Sequence, residues 1–199
     1  MDFLLTIITL PDFFDGETDC IERLFDTGLE SLHLRKPGCS ERQMRNLIEA
    51  IEPQYRRRLI IHSHFHLADE YGLNGIHLNS SYDGIPKGFG KMTVGRSCHS
   101  VSEASHYGRI CDYVFLSPVF DSISKQGYRS AFSLPELSGA FKNGTLGGNV
   151  IALGGINGDN IIRLVETGFA GAAMLGYIWE NPVGNFLKIK NLLQQNFQK

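Results

Sequence analysis

One tryptophan, four cysteines and a formal net charge of −2 in 199 residues set the first limits on what this chain can be. The cysteines (Cys20, Cys39, Cys98 and Cys111) form no C-x-x-C pair, which removes the common thiolate metal and redox motifs. They read as buried small apolar residues of a reducing compartment. Without an excess of basic residues there is no field to hold a nucleic-acid backbone, so no such partner is expected. No apolar run approaches the roughly 20 residues that span a bilayer, and no membrane partner is expected either. The chain opens on a strand-like segment without a secretory leader, which fits a cytoplasmic setting. No linker, low-complexity tract or secure internal repeat interrupts it. Residues 1–199 therefore read as one domain, long enough to bury a substantial core.

What is present is an alternation. Short apolar, β-branched runs lie at residues 3–10, 31–35, 59–62, 75–78, 93–96, 113–116, 150–153 and 170–175. Helix-like stretches separate most of them, at 18–27, 40–51, 66–71, 102–107, 133–141 and 158–167, with a last helix at 182–195. Residues 79–90, rich in Gly and Ser, are too short for a full helix. Strands joined through helices pair in parallel, because a parallel partner needs a crossover. An open doubly wound sheet and a closed barrel both fit the alternation. The evenly short strands, and the lack of a G-x-G-x-x-G turn after the first, favour a single small α/β domain, a (β/α)8 TIM barrel.

In such a barrel the chemistry belongs to the loops after the C-terminal ends of the strands. After the seventh apolar run come Gly154 and Gly155, and after the eighth Leu175 and Gly176. The glycines let backbone approach a ligand, and the amides of a following helix start, with a cap expected near Asn157, suit an anion. The alternative is a turn that needs glycine only for its own geometry. Their place on the seventh and eighth strands favours phosphate. Arg35 and Lys125 fall at the same face on different strands, where a fork and a point charge could meet a second anion. His33 and His99 are candidates for proton transfer, since imidazole titrates near working pH. His62, His64 and His66 alternate and could hold a metal, but strand-end carboxylates to complete the set are scarce, so no metal is expected there. His77 and His106 read as structural.

Six ordered stretches carry a family resemblance: Leu32-His33-Leu34-Arg35, Gly75-Ile76-His77-Leu78, Val94 to Ser100, Asp112 to Phe120, Val150 to Ile156 and Gly168 to Met174. Together they resemble the thiamine-phosphate synthase family, which includes the TenI-type thiazole tautomerases. The resemblance implies a barrel, usually a homo-oligomer, that binds a phosphorylated thiazole or thiamin phosphate. It puts the phosphate on Gly154, Gly155, Leu175 and Gly176. The synthases' Gln-x-Arg-x-Lys run reads His33, Arg35 and Pro37 here, with Lys36 displaced by one. Their Thr-x-Thr-Lys becomes Ser122-Ile123-Ser124-Lys125, and a pyrimidine-contacting serine is kept as Ser97. Their two magnesium-binding aspartates match Ser63 and Tyr82, so the diphosphate's metal anchor is missing. The histidine that the tautomerases use after the sixth strand is Pro118. The expectation is a metal-free proton transfer, with His33, His99 and Lys125 as catalytic candidates and no cofactor. A divergent synthase, which would need Mg2+, and a non-catalytic binding protein are the alternatives.

Overall fold

The computed structural model describes residues 3–121, 130 and 132–197. Eight parallel strands pair in chain order: β1 (Leu4–Ile8), β2 (Ser31–Leu34), β3 (Leu59–Ile61), β4 (Gly75–Leu78), β5 (Thr93–Cys98), β6 (Tyr113–Leu116), β7 (Val150–Leu153) and β8 (Gly171–Met174). β8 pairs back onto β1, from Leu4↔Gly171 to Ile7↔Met174, so the sheet closes. The expected (β/α)8 barrel is the observed fold.

The helices are α1 (Glu17–Asp26), α2 (Glu41–Ala50), α3 (His66–Glu70), α4 (Val101–Tyr107), α5 (Leu134–Lys142), α6 (Ile161–Thr167), α7 (Gly176–Glu180) and α8 (Pro182–Phe197). α2 and α5 begin with full capping boxes, Ser40 with Gln43 and Ser133 with Glu136, which satisfy amides that have no partner within the helix. No helix follows β4; the chain passes to β5 by an irregular loop, as its composition suggested. Two short pieces escape a reading by periodicity, the 3₁₀ turn Pro53–Arg58 and the five-residue α7. No helix among the described residues is long and apolar enough to cross a membrane.

The strands read as nearly continuous apolar runs because both faces of a parallel barrel are covered. Alternate side chains separate into two cores. One set, including Leu32, Leu34, Ile61, Ile76, Val94, Val114 and Ala152, packs against helix residues such as Leu24, Leu47, Leu164 and Ile189. The other fills the lumen with Ile8, Ile60, Tyr113, Phe115, Ile151 and Ala173. Gly95 belongs to this packing, because a Cβ there would run into the ring of Tyr113 on the neighbouring strand.

Cys98 and Cys111 are buried and Cys20 and Cys39 half-buried, all as free thiols, so the expectation of buried cysteines holds for two of the four. Burial pushes the Cys98 thiol up to about 12, which keeps it protonated and unreactive at neutral pH.

Candidate active site at the barrel mouth

The β7 and β8 loops form one rim of the mouth. The β7–β8 ladder ends at Leu153↔Ala173, and Gly154 and Leu175 follow it directly on the two adjacent strands. The four residues expected to hold phosphate thus leave the ends of neighbouring strands. Gly154 and Gly155 both have positive φ, 102° and 64°, a region that L side chains rarely enter. The loop after β6 crosses them: Phe120 N–H donates to Gly154 O at 3.2 Å, and Val119 N–H to Leu153 O at 3.0 Å. A Cβ on Gly154 would stand 2.9 Å from Pro118 Cα, and one on Gly155 2.8 Å from Phe120 Cβ. The crossing loop thus requires both glycines, whatever else they serve.

The helix after this loop starts at Ile161, three residues later than the sequence suggested. Asn157 is not its cap. Instead Asn160 spends its side chain on the loop, accepting from Asn157 N–H at 2.9 Å and donating to Gly155 O at 2.8 Å. On the β8 side, α7 begins directly at Gly176. The first amides of a helix have no acceptor within it, and Gly176 and Tyr177 hold that position here.

Across the mouth, Arg35 is half-buried with its backbone pinned to Thr9: Arg35 N–H donates to Thr9 Oγ1 at 2.9 Å, and that hydroxyl donates to Arg35 O at 3.2 Å. Its guanidinium has no carboxylate partner among the described residues. Lys36, one residue on, is directed away from this rim. Its ammonium is fully buried, paired with Glu17 at 2.6 Å, bonded to Asp12 O at 2.8 Å and 4.7 Å from the centre of the Phe13 ring. Burial raises the Glu17 carboxyl against the opposing pull of Lys36. Lys36 is thus engaged in the β/α layer, and the structure does not bring it to the anion.

His99, exposed at the end of β5, sets Nδ1 3.1 Å from Ser117 O. In the tautomer that donates Nδ1–H to that carbonyl, Nε2 carries the lone pair. Ser97 is half-buried in the lumen with its hydroxyl 2.9 Å from His77 Nε2. Ser122, Ser124 and Lys125 lie outside the described residues.

His33 is buried among other lumen side chains. Its Nδ1 is 2.9 Å from His62 Nε2, and the ring of His62 stacks on that of His77 with centroids 4.4 Å apart. His77 Nδ1 also meets Tyr113 Oη at 3.1 Å. Burial pulls His33 down to about 3, and pulls His62 and His77 well below the ordinary imidazole range, with their mutual repulsion and Arg35 adding to it. All three are neutral at pH 7. The trio His62, His64 and His66 does not assemble: His64 Nε2 bonds Cys39 O at 3.0 Å, and exposed His66 lies 3.3 Å from Glu41. The signal that could have found the real cluster is the lumen phase of β2 and β4, but only the register says which rings meet.

The geometry can be set beside known proteins. Residues 5–178 match the family model described as thiamine monophosphate synthase. The chain belongs to this family. It is 29% identical over 171 residues to a thiamine-phosphate synthase of Listeria monocytogenes, covering 79% of each chain. It is 31% identical over 157 residues to one from Latilactobacillus sakei, covering 75% of this chain and 68% of that one. A crystal structure of thiamine phosphate pyrophosphorylase from Bacteroides thetaiotaomicron superposes with a TM-score of 0.86 at 35% identity, over 96% of this chain and 98% of that one. The family is enzymatic and serves thiamine biosynthesis. The names of these relatives support the synthase alternative more than the proton transfer expected from the sequence.

Magnesium does not fit the one cluster of metal-ligating side chains found among the described residues. Among the described residues, His33, His62 and His77 are the one group of three or more His, Cys, Asp or Glu side chains close enough to share an ion. Imidazole nitrogen is a poor match for Mg2+, which wants carboxylate and water oxygen.

Proposed function

We propose that this chain is a thiamine-phosphate synthase that joins hydroxymethylpyrimidine diphosphate to a thiazole phosphate and releases pyrophosphate. The observation that carries the reading is the β7–β8 rim, glycine-built and opening on helix amides, in a chain whose relatives bear that name. In the reaction the methylene carbon–oxygen bond breaks with its electron pair leaving on the diphosphate. The thiazole nitrogen lone pair forms the new carbon–nitrogen bond, with no change in redox state.

In this reading the backbone at Gly154, Gly155, Leu175 and Gly176 holds the thiazole phosphate. Arg35, with its guanidinium free of carboxylates, takes the leaving diphosphate, aided by Lys125, Ser122 and Ser124 of the β6 loop. Ser97 and His99 border the pyrimidine. No step is routed through a magnesium ion, since the resemblance puts Ser63 and Tyr82 where its carboxylate anchors would stand. The working form is expected to be a homo-oligomer.

The test is thiamin phosphate formation from the two substrates, followed by chromatography. Removing one charge-stabilising donor, in Arg35→Ala, is expected to slow it about 100-fold. A second reading, proton transfer on a thiazole carboxylate phosphate, is favoured by His99, an exposed imidazole whose Nδ1 rests on Ser117 O at the end of β5. Isomerisation of that compound that disappears in His99→Ala, with no thiamin phosphate formed, would replace the first reading by the second. Calorimetric binding of thiazole phosphate with neither reaction would leave a binding protein.

A further inference from the structure

The lumen histidines are not used by the proposed reaction, yet they are the most organised polar group in the barrel. His33 on β2, His62 just past β3 and His77 on β4 come from three adjacent strands, and one ligand nitrogen from each lies within 4.8 Å of the others. Backbone ladders fix their places: His33 pairs with Ile8 and Ile60, His77 with Gly95, and His62 N–H donates to Leu34 O at 3.2 Å. We propose that His33, His62 and His77 form a binding site for a divalent first-row transition ion of the zinc class, held by three imidazole nitrogens with a fourth position open.

The chemistry of the donors supports this on several counts. A tetrahedral zinc site has nitrogens about 2.0–2.1 Å from the ion and hence about 3.3 Å apart. The His33–His62 pair, at 2.9 Å, needs only to open slightly, and the third nitrogen to close in. A metal also needs lone pairs rather than protons, and each neutral imidazole carries one on a ring nitrogen. Outer partners are already in place on His77, whose nitrogens meet the Tyr113 and Ser97 hydroxyls at 3.1 and 2.9 Å. One hydroxyl can hold the ring and fix its tautomer while the other nitrogen turns to the ion, the usual second layer of a metal site.

The set contains no carboxylate, so the ion keeps its double charge in a lumen walled by Ile8, Ile60, Phe115 and Ile151. Its open position therefore calls for an anion, such as hydroxide or a phosphate oxygen. Three neutral nitrogens select the zinc class over Mg2+, which departs both from the metal-free expectation and from the magnesium chemistry of the relatives. The inference does not depend on which reaction the chain catalyses.

The experiment is titration of the chelator-stripped full chain with Co2+, read by visible absorption, followed by competition with Zn2+ and with excess Mg2+. About one ion per chain should bind with the strong bands of four-coordinate cobalt, be displaced by Zn2+ and resist Mg2+. His62→Ala and His77→Gln should each weaken binding by more than about tenfold, and Tyr113→Phe by about tenfold. His66→Ala, on the exposed α3, should leave it unchanged. Zn2+ should raise the melting temperature of the wild type but not of His62→Ala, which separates a lost site from a lost fold. Failure of the wild type to take up Co2+, or uptake that survives both lumen variants, would overturn the proposal.

Discussion

Acidification from about pH 7.5 to about pH 5 should weaken this barrel far more than its surface charges can account for. The cause is the buried imidazole cluster. His33 is lowered from 6.5 to about 3 by burial alone. Between those values the unfolded chain takes up a proton that the folded chain refuses. The stability contributed is fully present above pH 6.5 and is lost as pH falls toward 3. Each pH unit below the unfolded value costs about 1.4 kcal/mol per proton, so at pH 5 His33 alone removes about 2 kcal/mol. His62 and His77 are depressed in the same direction and for the same first cause. Both add to that loss, in a domain whose whole stability is typically about 5–15 kcal/mol. Glu17 runs the other way, because its raised carboxyl favours the fold as pH drops. The assay is urea unfolding with chelator present at both pH values, for wild type and His33→Leu. His33→Leu should be less stable at neutral pH yet lose about 2 kcal/mol less on acidification, a difference from which the Glu17 effect cancels. An acid loss below about 1 kcal/mol in the wild type, or the same loss in both proteins, would refute the reasoning.

Three further outcomes follow from buried or strained positions. Lys36→Met should cost about 3–5 kcal/mol in urea unfolding because it strands the Glu17 carboxylate, while the double change with Glu17→Leu should recover most of that loss. Gly154→Ala should lower the melting temperature even without ligand, by the equivalent of about 1–3 kcal/mol, since it combines φ 102° with a contact to Pro118. Ser133→Ala should cost about 1 kcal/mol through loss of the α5 capping box, with no change in KM for the thiazole substrate.

The crowding at Gly154 bears on how functional sites are read from glycine pairs. The sequence placed Gly154-Gly155 correctly at a barrel mouth, where ligand approach and loop geometry were competing explanations. The structure adds a demand from outside the loop, because the β6 connection lies directly on both residues. A charged substitution at Gly154 would therefore report on folding as much as on phosphate. Arg35→Ala perturbs the mouth without touching that crossing, which makes it the better probe.

By itself, the sequence determined a parallel α/β sheet and favoured the barrel, because short, nearly continuous apolar runs separated by amphipathic helices leave such a sheet few ways to cover both faces. It also determined the strand ends that bear chemistry and the stretches that carry family membership. Tertiary structure alone decided the direction of each polar side chain once the barrel closed. Arg35 and Lys36 are adjacent in sequence, but alternation along the chain sends one to the mouth and the other into a buried pair with Glu17. His33, His62 and His77 are separated by 29 and 15 residues, and no local pattern joins them. The stagger of β2, β3 and β4 sets their rings at one level of the lumen. Register is a property of the closed sheet, so the histidine cluster could be recognised only after the strands had been paired.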